Sequence, residues 1–208
     1  MKKILEVVIL SFFLTTSALA DSIKDFKIEN ISIGDSALDY FTISQLEDNV
    51  LDWYNYSYKD FSTSLVPGKG IYDWFKVTYR SDDDDFIIEG LVGIIVKKNY
   101  EDIKCNRQLD EAALSISGLY KNIMQGKKKL DKLTYNQRKV FQEQNPLGKS
   151  KVTSISFDFK NEGKIILSCY DMDKTTNEID TPIKDINQFD TFRIDIRSKV
   201  LINYLEKV

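Results

Sequence analysis

Residues 86–98, FIIEGLVGIIVKK, are the longest apolar run beyond the first twenty residues. Ile87, Ile88, Leu91, Val92, Ile94, Ile95 and Val96 fall on both parities of that run. Side chains alternate across a strand, so a strand built from it is apolar on both faces. A sheet uses such a strand at its centre, with cover above and below, rather than at an edge. Gly90 and Gly93 predict a bend or a bulge within it.

The neighbouring pattern fits a sheet around that strand. In 74–80, Phe75, Val77 and Tyr79 alternate with Lys76, Thr78 and Arg80, the pattern of a half-buried strand. Residues 81–85 form the turn between the two, which makes them an antiparallel pair. Residues 152–160 alternate again, with Ile155, Phe157 and Phe159 on one side, and 161–163 form a short hairpin turn with glycine in the left-handed position. Ile165, Leu167 and Cys169 then share one face. Phe192, Ile194 and Ile196 alternate with Arg193, Asp195 and Arg197 in a last strand.

Helix signals punctuate these strands. Residues 25–30 read as a short first strand, and 31–34 as a turn. Asp35 or Ser36 caps a short helix through Phe41, and Thr42 with Gln45 has capping-box spacing for a second one through Glu47. Pro67, Gly68 and Gly70 mark a loop. Asn99 caps the longest helix, whose inward face is Leu109, Ala112, Ala113, Ile116, Tyr120 and Ile123. Ser198 caps a closing helix with Leu201, Tyr204 and Leu205 inward. Hairpins need no crossover helices, so the class is α+β. The expected architecture is a mainly antiparallel sheet with helices on one face, as roughly two helix-plus-hairpin units in one domain.

The first residues carry an address rather than a fold. Met1, Lys2 and Lys3 precede an apolar stretch over 4–14, and Ala18-Leu19-Ala20 is a small-x-small cleavage pattern. This is a secretory signal peptide over 1–20, leaving a single exported domain over 21–208. The run is shorter than a membrane-spanning helix needs, no later stretch is long enough, and no cysteine follows Ala20 to carry a lipid. Without Lys2, Lys3 and Glu6, the 29 basic and 32 acidic residues become 27 and 31, a net charge of −4. That balance does not suggest nucleic acid as a partner. Export to the periplasm or beyond permits disulfides, and Cys105 and Cys169 are the chain's two cysteines. Cys105 lies four residues before Leu109 on the helix, and Cys169 lies on the inward parity of its strand. A bridge between them would clamp the long helix to the sheet.

Residues 121–151 differ from the rest. They hold nine basic residues against Asp131 and Glu143, a net charge of +7. They read as the end of the long helix and a polar connection with some helix of its own. Lys127, Lys128, Lys129, Lys132, Arg138 and Lys139 are the candidate binding residues, for phosphate-rich headgroups, an anionic envelope polymer or an acidic envelope protein.

Three stretches resemble a known group. The opening IENISIGDSALDYF, the strand KSKVTSISFDF and the strand end SCYDMD look like a group of small exported bacterial proteins of unknown function, over most of the mature chain. That resemblance implies no activity. The turn at Ile33, Gly34, Asp35 and Ser36 into short helices is also similar, over about forty residues, to the opening of SmpA/OmlA-type outer-membrane assembly lipoproteins and of β-lactamase-inhibitor-like modules. The lipidated cysteine of those lipoproteins is absent here.

The chain has no histidine. Ser-His and Cys-His nucleophile pairs and the usual zinc ligands are therefore missing, and no cofactor or metal is expected. Gly148-Lys149-Ser150 ends like a phosphate-binding loop, but Glu143 stands where its first glycine belongs. Asp82, Asp83, Asp84 and Asp85 offer oxygens that calcium accepts, although a solvated hairpin turn needs the same residues. Asp171-Met172-Asp173 begins like a calcium loop, yet Thr176 and Pro182 replace its glycine and closing glutamate. Trp53, Tyr54, Tyr56, Tyr58, Tyr72 and Trp74 either line a cleft or pack a core. The leading expectation is a non-enzymatic exported interaction module of the envelope. The alternatives are a single-domain periplasmic small-ligand-binding protein, which needs those aromatics around one pocket, and a carboxylate-dependent hydrolase, which needs two acids across a cleft.

Overall fold

A computed structural model describes residues 22–51, 59–96, 102–119, 124–125, 129–132, 151–159, 161–171 and 190–207. Residues 1–20, Trp53 to Tyr58, Asn99, Tyr120 and Ile123 lie outside these residues, as do Gly148-Lys149-Ser150 and most of the basic segment.

Two 3₁₀ turns, Ile23–Asp25 and Ala37–Asp39, and helix α1 (Ile43–Glu47) precede three strands, β1 (Phe61–Pro67), β2 (Trp74–Arg80) and β3 (Ile88–Val96). Helix α2 (Asp102–Leu119) and the short strands β4 (Met124–Gln125) and β5 (Lys129–Lys132) follow. Then come β6 (Lys151–Phe159), β7 (Gly163–Asp171), β8 (Thr191–Ser198) and helix α3 (Lys199–Leu205). Among the described residues these strands form one eight-stranded sheet, ordered β1-β2-β3-β8-β7-β6-β4, with β5 also on β6. Among the described residues these neighbouring strands pair antiparallel. Each half is thus a three-strand meander, and the two meanders meet through their last strands, from Gly90 opposite Arg197 to Val96 opposite Thr191.

The apolar run is the inner strand its sequence requires. Ile88 and Leu91 are buried in the main core, and Ile94 in a second, smaller one. The bulge falls where Thr78 faces Gly90 but Tyr79 faces Ile88, leaving Glu89 as the extra residue. A Cβ on Gly93 would sit 2.6 Å from the Tyr72 ring, and one on Gly90 2.7 Å from Leu201 Cδ2. The two glycines are notches that admit a neighbour's side chain.

The main core lies on one face, which we call the first. Phe75, Val77 and Tyr79 of β2, Phe157 of β6, Ile165 and Leu167 of β7, and Ile196 of β8 are buried there. Cys105, Leu109, Ala113 and Ile116 of α2 pack on it, as do Ile23, Ile28 and Leu46 from the amino-terminal segment and α1. Cys105 and Cys169 are bridged, with Cα atoms 6.0 Å apart and both residues buried, so α2 is tied to β7. The second face carries Leu51, Leu65 and Ile94, with Trp74, Val92 and Val96 against them.

Several expectations are corrected. The sheet dominates, and the helices are not on one face. Leu201 of α3 fills the Gly90 notch, and the Tyr204 ring lies 5.0 Å from Phe61, both on the second face. The units are a helical segment plus three strands, because 61–67 is a strand of its own. Residues 25–30 are not a strand. A capping box between Ser22 and Asp25 captures the backbone into a 3₁₀ turn, and Ile28 bridges back to Ile31. In the β6–β7 turn Asn161 takes the left-handed position at φ 65°. Gly163 serves close approach instead, since its Cβ would meet the Arg197 carbonyl oxygen at 2.1 Å. The described parts of 121–151 are strands on β6, not helix. β2 is more than half-buried, because Lys76 on its polar parity is only 3% exposed.

Candidate functional site

The second face of the sheet gathers charge in adjacent register rows. One row runs Lys76, Val92, Asp195, Ile166, Ser156 across β2, β3, β8, β7 and β6. The row above it runs Trp74, Ile94, Arg193, Ser168, Ser154, and the row below Thr78, Gly90, Arg197, Lys164, Asp158. Residues two apart on β8 share a face, so Arg193, Asp195 and Arg197 stand in file. Lys76 is two strands from Asp195, about 10 Å at ordinary strand spacing.

Arg193, Asp195, Arg197 and Lys164 are held in place. Arg197 Nε donates to Asp195 Oδ2 at 2.9 Å and Oδ1 at 3.1 Å, and its Nη2 pairs with the same carboxylate. This is a two-toothed, charge-assisted contact. The Arg193 guanidinium lies 3.8 Å from the centre of the Tyr170 ring, and its Nε donates to Thr191 Oγ1 at 2.8 Å. Arg193 is 7% exposed. Taking a charge from water costs several kcal/mol, so a cation sunk in a sheet face is expensive unless paired. Lys164 pairs with Asp158 at 3.1 Å on the outer flank.

The Arg193 guanidinium is stacked on Tyr170, bonded to Thr191 and buried in the register row that also holds Ser168 and Ser154. The cysteines are bridged, which removes a thiolate nucleophile. Several of the described carboxylates accept backbone N–H bonds. Glu29 accepts from the Tyr72 N–H, Asp73 from Val96, Asp83 from Asp85 and Ile87, Glu162 from Ile23, and Asp35 from Ser32. Among the described residues no group of three or more Cys, Asp or Glu is arranged to hold a metal ion. The four-aspartate turn is built as a turn. Both oxygens of Asp83 cap backbone amides, and Asp82 lies 3.3 Å from Arg80.

The aromatic candidates separate. Tyr72 is in the main core, 5.6 Å from the Phe75 ring, whereas Trp74 packs on the second face. Burial, and then the Glu29 carboxylate, push the Tyr72 hydroxyl above its ordinary range. Lys127, Lys128, Arg138 and Lys139 lie outside the described residues. Lys129 and Lys132 are on β5, opposite Ser154 and Lys151, beside the strand that borders the charged face. Sequence alternation put Arg193, Asp195 and Arg197 together and Lys76 away from Phe75. The β3–β8 pairing, which unites the two sets, left no signal in either stretch.

Comparison of the chain with protein-family models, with curated proteins and with solved structures gives no match.

Proposed function

We propose that this chain is a non-enzymatic exported interaction module of the bacterial envelope, working through the second face of its sheet. The observation that carries the reading is the file Arg193, Asp195, Arg197 with Lys76, on a face where apolar residues would be cheaper. The partner is an envelope protein or an anionic envelope polymer, met by this face and by the basic segment that includes Lys127, Lys128, Lys129 and Lys132. The amino-terminal leader pattern and the Cys105–Cys169 bridge support export. No helix among the described residues is long and apolar enough to cross a membrane. The likeness to small exported proteins of unknown function agrees with this reading and adds no activity to it.

The test is cross-linking of the protein in its native envelope, with captured molecules identified by mass spectrometry. It is run beside Arg197→Gln and beside a variant with Lys127, Lys128, Lys129 and Lys132 changed to Gln. A defined partner that is lost in either variant supports the reading. Capture of nothing by the wild type, or of the same partner by all three, sinks it.

A further inference from the structure

Helix α3 covers the second face with little of its own surface buried. Of its seven residues only Leu201 is buried, and Val200 is 49% exposed. A helix this short has no stability of its own in water, so its attachments decide whether it stays. They are few. Ser198 Oγ accepts from the Leu201 N–H at 3.1 Å, and the Lys199 N–H donates to the Glu162 carbonyl at 2.7 Å. The Leu201 side chain fills the notch at Gly90, where a Cβ would also meet Thr78 at 3.1 Å. The Tyr204 ring packs edge-on to Phe61, and its hydroxyl accepts from the Asp60 N–H at 3.3 Å. By contrast, β3 pairs along its length with strands on both sides.

We propose that α3 is a strap that opens independently of the sheet and, when open, uncovers the Gly90 notch and the Phe61 ring of the second face. Its biological meaning rests on that face being the working surface; the opening itself does not. Closed, α3 lies beside the row that holds Arg197, two residues from Asp195. A partner that spreads over this face has to displace Leu201 and Tyr204. Its apparent affinity is then scaled by the open fraction.

Amide hydrogen exchange of the full folded chain tests the strap. The amides of Leu201, Glu206 and Lys207 are expected to exchange at least about 100-fold faster than those of Leu91 and Ile94, with no response to low urea, as local opening exposes little surface. Leu201→Ala is expected to raise the α3 rates about tenfold or more and leave β3 unchanged. Gly90→Ala is expected to raise the α3 rates as well, by crowding Leu201. Exchange of α3 at the β3 rate and with the β3 urea dependence overturns the proposal, and so does an α3 rate that neither variant moves. If both variants fail to fold, the wild-type rates alone decide. Failure to capture a partner in the envelope leaves these rates untouched, so the two readings fail separately.

Discussion

Glu29 and Asn30 hold φ angles of 50° and 72° between the bridged Ile28 and Ile31. Left-handed backbone costs a residue with a Cβ about 1–2 kcal/mol. Glu29 offsets this by reach, because its Oε1 accepts from the N–H of both Ile71 and Tyr72 and fixes the β1–β2 loop. Glu29→Ala is expected to lower stability by about 2 kcal/mol, since bonds to a charged acceptor are worth about 1.5–3 kcal/mol. A urea midpoint equal to the wild type's would show that the carboxylate holds nothing. Tyr40 gives a pH signature. Burial, then its hydrogen bond to Asp35 at 2.8 Å, push its hydroxyl up to about 12 from 10.0. A folded-state value above the unfolded one means the contribution is complete below pH 10 and lost as pH rises through about 12. Stability measured across that window should fall less steeply in Tyr40→Phe than in the wild type. Equal slopes would remove Tyr40 from the account.

Among the elements, α2 depends most on a covalent tie. Its inward face offers Cys105, Leu109, Ala113 and Ile116, of which alanine and cysteine are small. Replacing Cys105 and Cys169 by serine is expected to cost about 2–5 kcal/mol, the usual loss for a native bridge. Exchange protection should fall in α2 before it falls in β3, and uniform loss across both would contradict the clamp. The central strand has its own test. Gly93→Ala drives a methyl into the Tyr72 ring, and overpacking of this kind costs about 1–3 kcal/mol. A smaller loss in the pair Gly93→Ala with Tyr72→Phe would not follow, because the clash is with the ring and not with the hydroxyl. Helix α1 was legible because Thr42 and Gln45 cap each other locally, at 3.2 Å and 2.9 Å. Strand β1 was not, because Ser62, Thr63 and Ser64 look like a loop. Ser64 is fully buried and is satisfied only from afar, by the Leu46 carbonyl at 2.6 Å and the Tyr79 hydroxyl at 3.0 Å.

At the scale of the molecule, two meanders about a hundred residues apart in sequence are closed into one sheet by β3 and β8. One apolar cluster runs beneath both halves. The oxidised protein should therefore unfold as one unit, with tryptophan fluorescence and far-ultraviolet circular dichroism tracing coincident urea transitions. Two separated transitions would mean that the halves are independent. Because β3 and β8 pair only after a long loop closes, folding should be slow, in the millisecond-to-second range of sheet proteins rich in distant contacts.

The sequence by itself determined what depends on near neighbours. Alternation named the faces of β2, β6, β7 and β8, two parities of apolar residues placed β3 inside the sheet, and helical and strand periods aimed Cys105 and Cys169 at one core. These are consequences of backbone geometry within a few residues. Tertiary structure decided which strands meet, which face α3 covers, and that Lys76 shares a surface with Arg193, Asp195 and Arg197. None of these is local, because a strand's edge pairs with any strand whose register and faces match. The choice falls to the burial of the whole cluster rather than to any stretch of chain. The candidate site belongs to that second class: its charges were readable one strand at a time, and their assembly was not.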